Sequence, residues 1–142
     1  MTRRRILGPL AVLLLSVPLL AGCGIVKVKY DAGATSMAPD DTLRVSFADT
    51  DPKDGDWWFV VAEPDSKLLK DLGPSCSPAK NTCDSSEAFT WEFLGKTKGS
   101  TDITFRYCYR SQPAHCQANP GRGPSRPVTL HVTIKEITSL PQ

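Results

Sequence analysis

The chain has 142 residues, with 17 lysines and arginines against 15 aspartates and glutamates and a formal net charge of +2. Arg3, Arg4 and Arg5 precede an apolar run at residues 6–20, and beyond that run fourteen basic side chains face fifteen acidic ones. So even a balance excludes the basic surface that nucleic-acid binding needs. The remaining length, about 120 residues, is that of one domain with its own core.

Residues 1–22 read as a secretion signal, with a basic start and an apolar stretch broken only by Gly8, Pro9, Ser16 and Pro18. The stretch is too short and too interrupted for a spanning helix, which needs about 20 apolar residues. It ends in Leu20-Ala21-Gly22-Cys23, an order that resembles the bacterial lipobox; the alternative is a small-residue cleavage site beside a chance cysteine. A lipobox implies acylation of Cys23. Each buried CH₂ adds about 0.8 kcal/mol, so several acyl chains would hold the protein at the cell membrane on the extracytoplasmic side.

Val26, Val28 and Tyr30 alternate with Lys27 and Lys29 as a short strand, and the polar stretch after them reads as a loop. Residues 23–39 are therefore expected to be a lipidated start and linker, 40–138 the folded domain and 139–142 a tail. Leu43, Val45 and Phe47 alternate with Thr42, Arg44 and Ser46, a half-buried strand. A charged turn, Asp51 to Asp56, leads into Trp57-Trp58-Phe59-Val60-Val61, apolar on both faces and so expected to be central in its sheet or covered on both sides. The double tryptophan raises a question, because adjacent strand residues point to opposite faces and only one ring can enter the core that way. Residues 64–73 read as one short helical segment, with Asp65 or Ser66 as cap, Leu68, Leu69 and Leu72 on one side and Gly73 as stop.

Phe89, Trp91 and Phe93 alternate, residues 95–99 turn, and Ile103, Phe105, Tyr107 and Tyr109 alternate again, which predicts a hairpin. Residues 111–125 are too rich in Pro and Gly to be an element. Val128, Leu130, Val132 and Ile134 then make the closing strand, with His131 outward. The total is an all-β sandwich of about six to seven antiparallel strands.

Setting Cys23 aside leaves Cys76, Cys83, Cys108 and Cys116, an even number suited to two disulfides in an oxidising compartment. Cys108 is out of phase with the inward residues of its strand, which favours the local pairs Cys76 with Cys83 and Cys108 with Cys116; the crossed pairings stay open. No metal site is expected, since there is no C-x₂-C pair and neither His115 nor His131 has a second histidine at ligand spacing. No enzyme is expected either. There is no G-x-S-x-G, no spare thiol once the cysteines pair, no pair of opposed carboxyls and no glycine-rich phosphate cradle, so no cofactor is expected.

The order of these elements resembles the chagasin-like inhibitors of papain-type cysteine proteases, which have an immunoglobulin-like β-sandwich. Their first inhibitory loop reads Asn-Pro-Thr-Thr-Gly-Tyr-x-Trp; here Pro52, Gly55 and Trp58 match within Asp51 to Trp58. The resemblance spans about residues 40 to 137 and makes Trp58 the structural tryptophan and Trp57 an additional ring. It implies a monomer that docks on a papain-like protease, or another envelope protein, through three loops at one end. On this chain those loops carry Pro52, Lys53, Asp54, Gly55 and Trp57, then Ser86 and Phe89, then Tyr109 and Arg110. The departures fall on the tips: Lys53 and Asp54 replace small neutral threonines, Asp84 to Ala88 replace a glycine-rich second loop, and the third loop has Arg110 but no tryptophan. A non-inhibitory envelope-binding lipoprotein on the same scaffold is the second reading.

Overall fold

The computed structural model describes residues 23–47, 50–76 and 88–136. Among these residues, eight strands form two four-stranded sheets: β1 (Ile25–Lys29), β3 (Thr42–Ser46), β6 (Thr90–Gly95) and β5 (Leu69–Pro74) in the order β1-β3-β6-β5, and β2 (Ala34–Met37), β8 (Val128–Ile134), β7 (Gly99–Tyr109) and β4 (Asp56–Ala62) in the order β2-β8-β7-β4. The core lies between the sheets, where alternate residues of each strand meet. Leu43, Val45 and Phe93 from the first sheet pack against Ile103, Phe105, Leu130, Val132 and Ile134 from the second. Phe47 is the hub of the aromatic part, with ring centroids 4.8 Å from Trp58, 5.1 Å from Phe105, and 5.6 Å from both Tyr30 and Phe89.

Five features differ from the sequence expectation. The supposed linker is part of the sandwich: β1 pairs parallel with β3 and β2 parallel with β8, so the strands are not all antiparallel, and Met37 is fully buried. The stretch holding β2 shows no apolar alternation, and only its position beside β8 makes it a strand. Leu69 to Pro74 is strand β5 rather than helix, with a bulge between Asp71 and Gly73. A short leucine run fits either period, and the pairing with β6 decides it. The helical turns fall elsewhere, as 3₁₀ turns at Pro52–Asp54 and Pro113–His115. β6 and β7 are not a hairpin, because the turn at residues 96–98 carries the chain from one sheet to the other. Alternation and a glycine turn look the same in both cases. Finally, β4 is an edge strand, not a central one, and Val61 is 40% exposed.

The register defines two poles. β1 and β3 start together, with Ile25 beside Thr42, and end together, with Lys29 beside Ser46. At the starting pole, the base, the Asp41 carboxylate accepts the amides of Gly24 at 2.8 Å and Ala38 at 3.0 Å. The turn between β6 and β7 lies there too, since Thr42 pairs with Leu94. The opposite pole, the tip, gathers the starts of β4 and β6 and the end of β7, with Asp56 opposite Tyr109. Among the described residues no helix is long and apolar enough to cross a membrane.

Removing the hub ring tests this packing. Phe47→Ala should cost about 3–5 kcal/mol, and Val61→Ala on the exposed edge within about 0.5 kcal/mol. Denaturant unfolding of the oxidised domain measures both, and equal losses would contradict the assignment of the hub.

Candidate functional site

The turn before the tryptophans is built by Asp51. Its carboxylate accepts the Lys53 amide at 3.0 Å, its carbonyl accepts the amides of Asp54 and Asp56 at 3.1 Å, and Pro52 occupies the start of the 3₁₀ turn, where no amide is needed. Gly55 closes the turn at φ 97°, in the left-handed region. A Cβ at Gly55 would also sit 2.4 Å from the Arg110 side chain, so this position needs glycine for both conformation and space. Lys53 and Asp54 project outward and Pro52 is buried beneath them.

The segment after β7 folds back onto this turn. The Arg110 amide donates to the Gly55 carbonyl at 2.8 Å and its Nε to the Asp54 carbonyl at 3.1 Å, with Arg110 itself at φ 46°. The Cys108–Cys116 disulfide closes the loop, and the Tyr109 amide donates to the Gln117 carbonyl at 2.8 Å. Cys108 is out of the central cluster, as its phase predicts, yet fully buried. A cross-link over so short a loop contributes roughly 2–3 kcal/mol in the chain-entropy model. Cys76 is disulfide-bonded; its expected partner, Cys83, lies outside the described residues, as does Ser86.

At the centre is Asp56, whose side chain is 1% exposed. One carboxylate oxygen accepts the Tyr107 hydroxyl at 2.6 Å. The other accepts the Asp51 amide at 3.1 Å and the Arg122 guanidinium at 2.7 Å from Nη2 and 3.2 Å from Nε. Arg122 also reaches Asp54 at 3.2 Å through Nη1, so it bridges the two acidic residues of the first loop. It and Arg110 both stand over the Tyr109 ring, at 5.6 and 5.1 Å. Gly123 lies against Tyr107, where a Cβ would approach the ring to 2.5 Å. Burial pushes the Asp56 carboxyl up, but hydrogen bonds from Arg122, Tyr107 and Asp51 outweigh it and hold the group below the ordinary carboxylate value. Burial and then the Asp56 carboxylate push the Tyr107 hydroxyl well above its usual value.

The two tryptophans divide the work by edge position. Trp58 enters the core, its indole N–H donating to the Thr50 hydroxyl at 3.1 Å. Trp57 is half-buried and packs edge-on against Phe89, the residue just before β6, at 6.0 Å. A ring on an edge strand can reach round that edge, and Trp57 covers the seam between the sheets at the tip.

The expected loop residues thus fall into three groups. Lys53, Asp54, Gly55, Tyr109 and Arg110 come together on the tip surface, Trp57 lies half-buried beside them, and Pro52 and Phe89 are buried in the interior. Phe89 continues the inward phase of Trp91 and Phe93, so it and Pro52 lie beneath the loop surface. Asp56, Tyr107 and Arg122 were not singled out by the sequence. Asp56 stood among many acidic residues, and Arg122 lies 66 positions away from it. His131 is outward, as expected, and meets Asp102 at 2.6 Å. Among the described residues no group of three or more His, Cys, Asp or Glu could hold a metal ion.

No known protein family profile matches the chain, and no curated protein is similar to it in sequence. In structure it is similar to the cysteine protease inhibitor EhICP2 from Entamoeba histolytica, with a TM-score of 0.53 and 16% identity over 79% of this chain and 96% of that one. Amebosin is also similar, at a TM-score of 0.47 and 17% identity, covering 80% of this chain and all of that one. The likeness to EhICP2 is one of fold. The fold is the immunoglobulin-like β-sandwich.

Tyr107→Phe should cost about 1.5–3 kcal/mol, the range for a hydrogen bond to a charged group. The pH dependence follows from the lowered Asp56 value: its contribution is complete above the unfolded value, about 3.9, and is lost as pH falls through the lower folded value. Arg122→Met should therefore destabilise the domain at pH 7, and the gap to the parent should narrow below about pH 4. Urea unfolding across pH measures both; a gap independent of pH would exclude the Asp56–Arg122 pair as its source.

Proposed function

We propose that this protein is a lipid-anchored, extracytoplasmic binding module that docks on a papain-like cysteine protease through its tip, as a chagasin-like inhibitor with altered loops. The observation that carries the reading is the joining of the loop at residues 51–55 to the loop at residues 110–122 on one rigid support, through Arg110 on Gly55 and Arg122 on Asp54 and Asp56. Loops held at one end of a sandwich make a composite binding surface. The likeness in fold to EhICP2, which is itself a cysteine protease inhibitor, favours a protease as the partner. The role is binding and not catalysis.

Tyr109, lying under two guanidinium groups, offers an aromatic anchor that is already ordered before a partner arrives. Lys53 and Asp54 set the specificity. Desolvating Lys53 and the Asp54–Arg122 pair in a dry cleft is unfavourable by several kcal/mol, so a susceptible protease carries polar or charged groups where this turn lands. The same two exposed charges favour the second reading, a non-inhibitory module that binds another envelope component.

The anchor-free domain, residues 24–142, is expected to inhibit a papain-like protease in a substrate-turnover titration at micromolar concentration. No inhibition there would remove the protease reading. Lys53→Thr with Asp54→Thr should tighten inhibition of papain-like enzymes with an uncharged cleft about tenfold or more. Lys53→Thr alone, which leaves the Asp54–Arg122 contact in place, separates docking from loss of the clamp.

A further inference from the structure

The register that places the tip also fixes where Cys23 lies. Gly24 alone separates Cys23 from β1. Its amide donates to Asp41 at 2.8 Å and its carbonyl accepts the Thr42 amide at 2.9 Å, so the chain is tied to the sandwich up to the residue next to Cys23. Asp41 is itself buried and holds the Ala38 amide as well, and the backbone of residues 40 and 41 is bonded on to Gly95. Cys23 is exposed at this base, the pole that also holds the turn of residues 96–98. One extended residue spans at most about 3.6 Å, so an anchor on Cys23 would leave little backbone between the lipid and the sandwich.

The tip is at the other end of the strands. β7 runs the whole way, Gly99 beside Ile134 at the base and Tyr109 beside Asp56 at the tip, over 11 residues. At about 3.3 Å per residue that is on the order of 30 Å.

We propose that the base pole is a membrane-seating surface, with Gly24, Asp40 and the Lys96-Thr97-Lys98 turn against the lipid headgroups, and that the domain stands upright with its tip about 30 Å from the bilayer. The inference rests on the lipid-anchor reading and deepens the proposed function by restricting the partner. A protease whose cleft lies flush with the same membrane cannot meet the tip. The partner that fits is soluble in the extracytoplasmic space or projects from its surface by a comparable distance. The opposite seating, tip toward lipid, would require breaking the Gly24 and Thr42 hydrogen bonds and turning the chain through the length of the sandwich.

The protein's own tryptophans report the geometry, because Trp57, Trp58 and Trp91 all lie in the tip half, Trp91 next to the start of β6. The test uses the acylated full-length product in phosphatidylethanolamine–phosphatidylglycerol vesicles containing headgroup spin-labelled lipid. Native tryptophan emission should be unchanged by the quencher, whereas Thr97→Trp and, separately, Lys98→Trp should add emission that the quencher largely removes. Quenching of the native tryptophans as strong as that of the added ones would overturn the upright seating, as would an added tryptophan at either base position that escapes quenching. Vesicle co-sedimentation and the mass of the Cys23-bearing peptide are read on the same sample. A chain that neither sediments nor carries acyl mass overturns the anchor reading and this inference together, and protease titration of the anchor-free domain stands apart from both.

Discussion

A buried carboxylate organises one end of this molecule. Asp56 begins β4 with its side chain almost wholly out of water, and a charge there is tolerated only when its lone pairs are occupied. The partners that occupy them come from three separate stretches: the amide of Asp51 in the preceding turn, the hydroxyl of Tyr107 on the neighbouring strand, and the guanidinium of Arg122 in the loop beyond β7. Satisfying one side chain therefore fixes the relative positions of two loops. The disulfide shortens the search for Arg122, Gly55 and Gly123 allow the close approach, and Tyr109 lies where both arginines cover it.

Asp41 does the same work at the base with fewer charges, holding the amides of Gly24 and Ala38. Between these two aspartates the sandwich is apolar, and Phe47 links its aromatic half to both sheets. The double tryptophan belongs to this division. Trp58 extends the core toward the tip, and Trp57 seals the place where an edge strand would otherwise leave Phe89 open to water.

Strand positions were legible where a strand has one wet and one dry face. β3 and β8 show this plainly, with Leu43 and Val45 and then Leu130, Val132 and Ile134 on the inner side. The assignment of strands to sheets was not legible, because a turn such as residues 96–98 serves a hairpin or a crossing between sheets equally well. β2 and β5 were missed for a related reason. Both are edge strands whose side chains carry little periodic signal, and hydrogen bonds to a distant partner strand define them. The turn at residues 51–55 was legible from Pro52, Gly55 and the charged residues around them, but the clamp beneath it was not: Tyr107 and Arg122 lie 51 and 66 residues from Asp56. A long-range ion pair leaves no local pattern.

The hydrogen bonds and the ion pair join the two loops to each other, so little ordering of these loops remains to oppose association with a partner. The two loops act as one surface only if the carboxylate truly couples them. Amide hydrogen exchange on the parent and on Asp56→Asn, at pH 7, tests that coupling most directly. The account predicts that amides at residues 50–55 and 109–123 lose protection together in the variant, while those around Asp41 and Gly95 keep theirs. Loss confined to the first loop, with the disulfide loop unchanged, would contradict it.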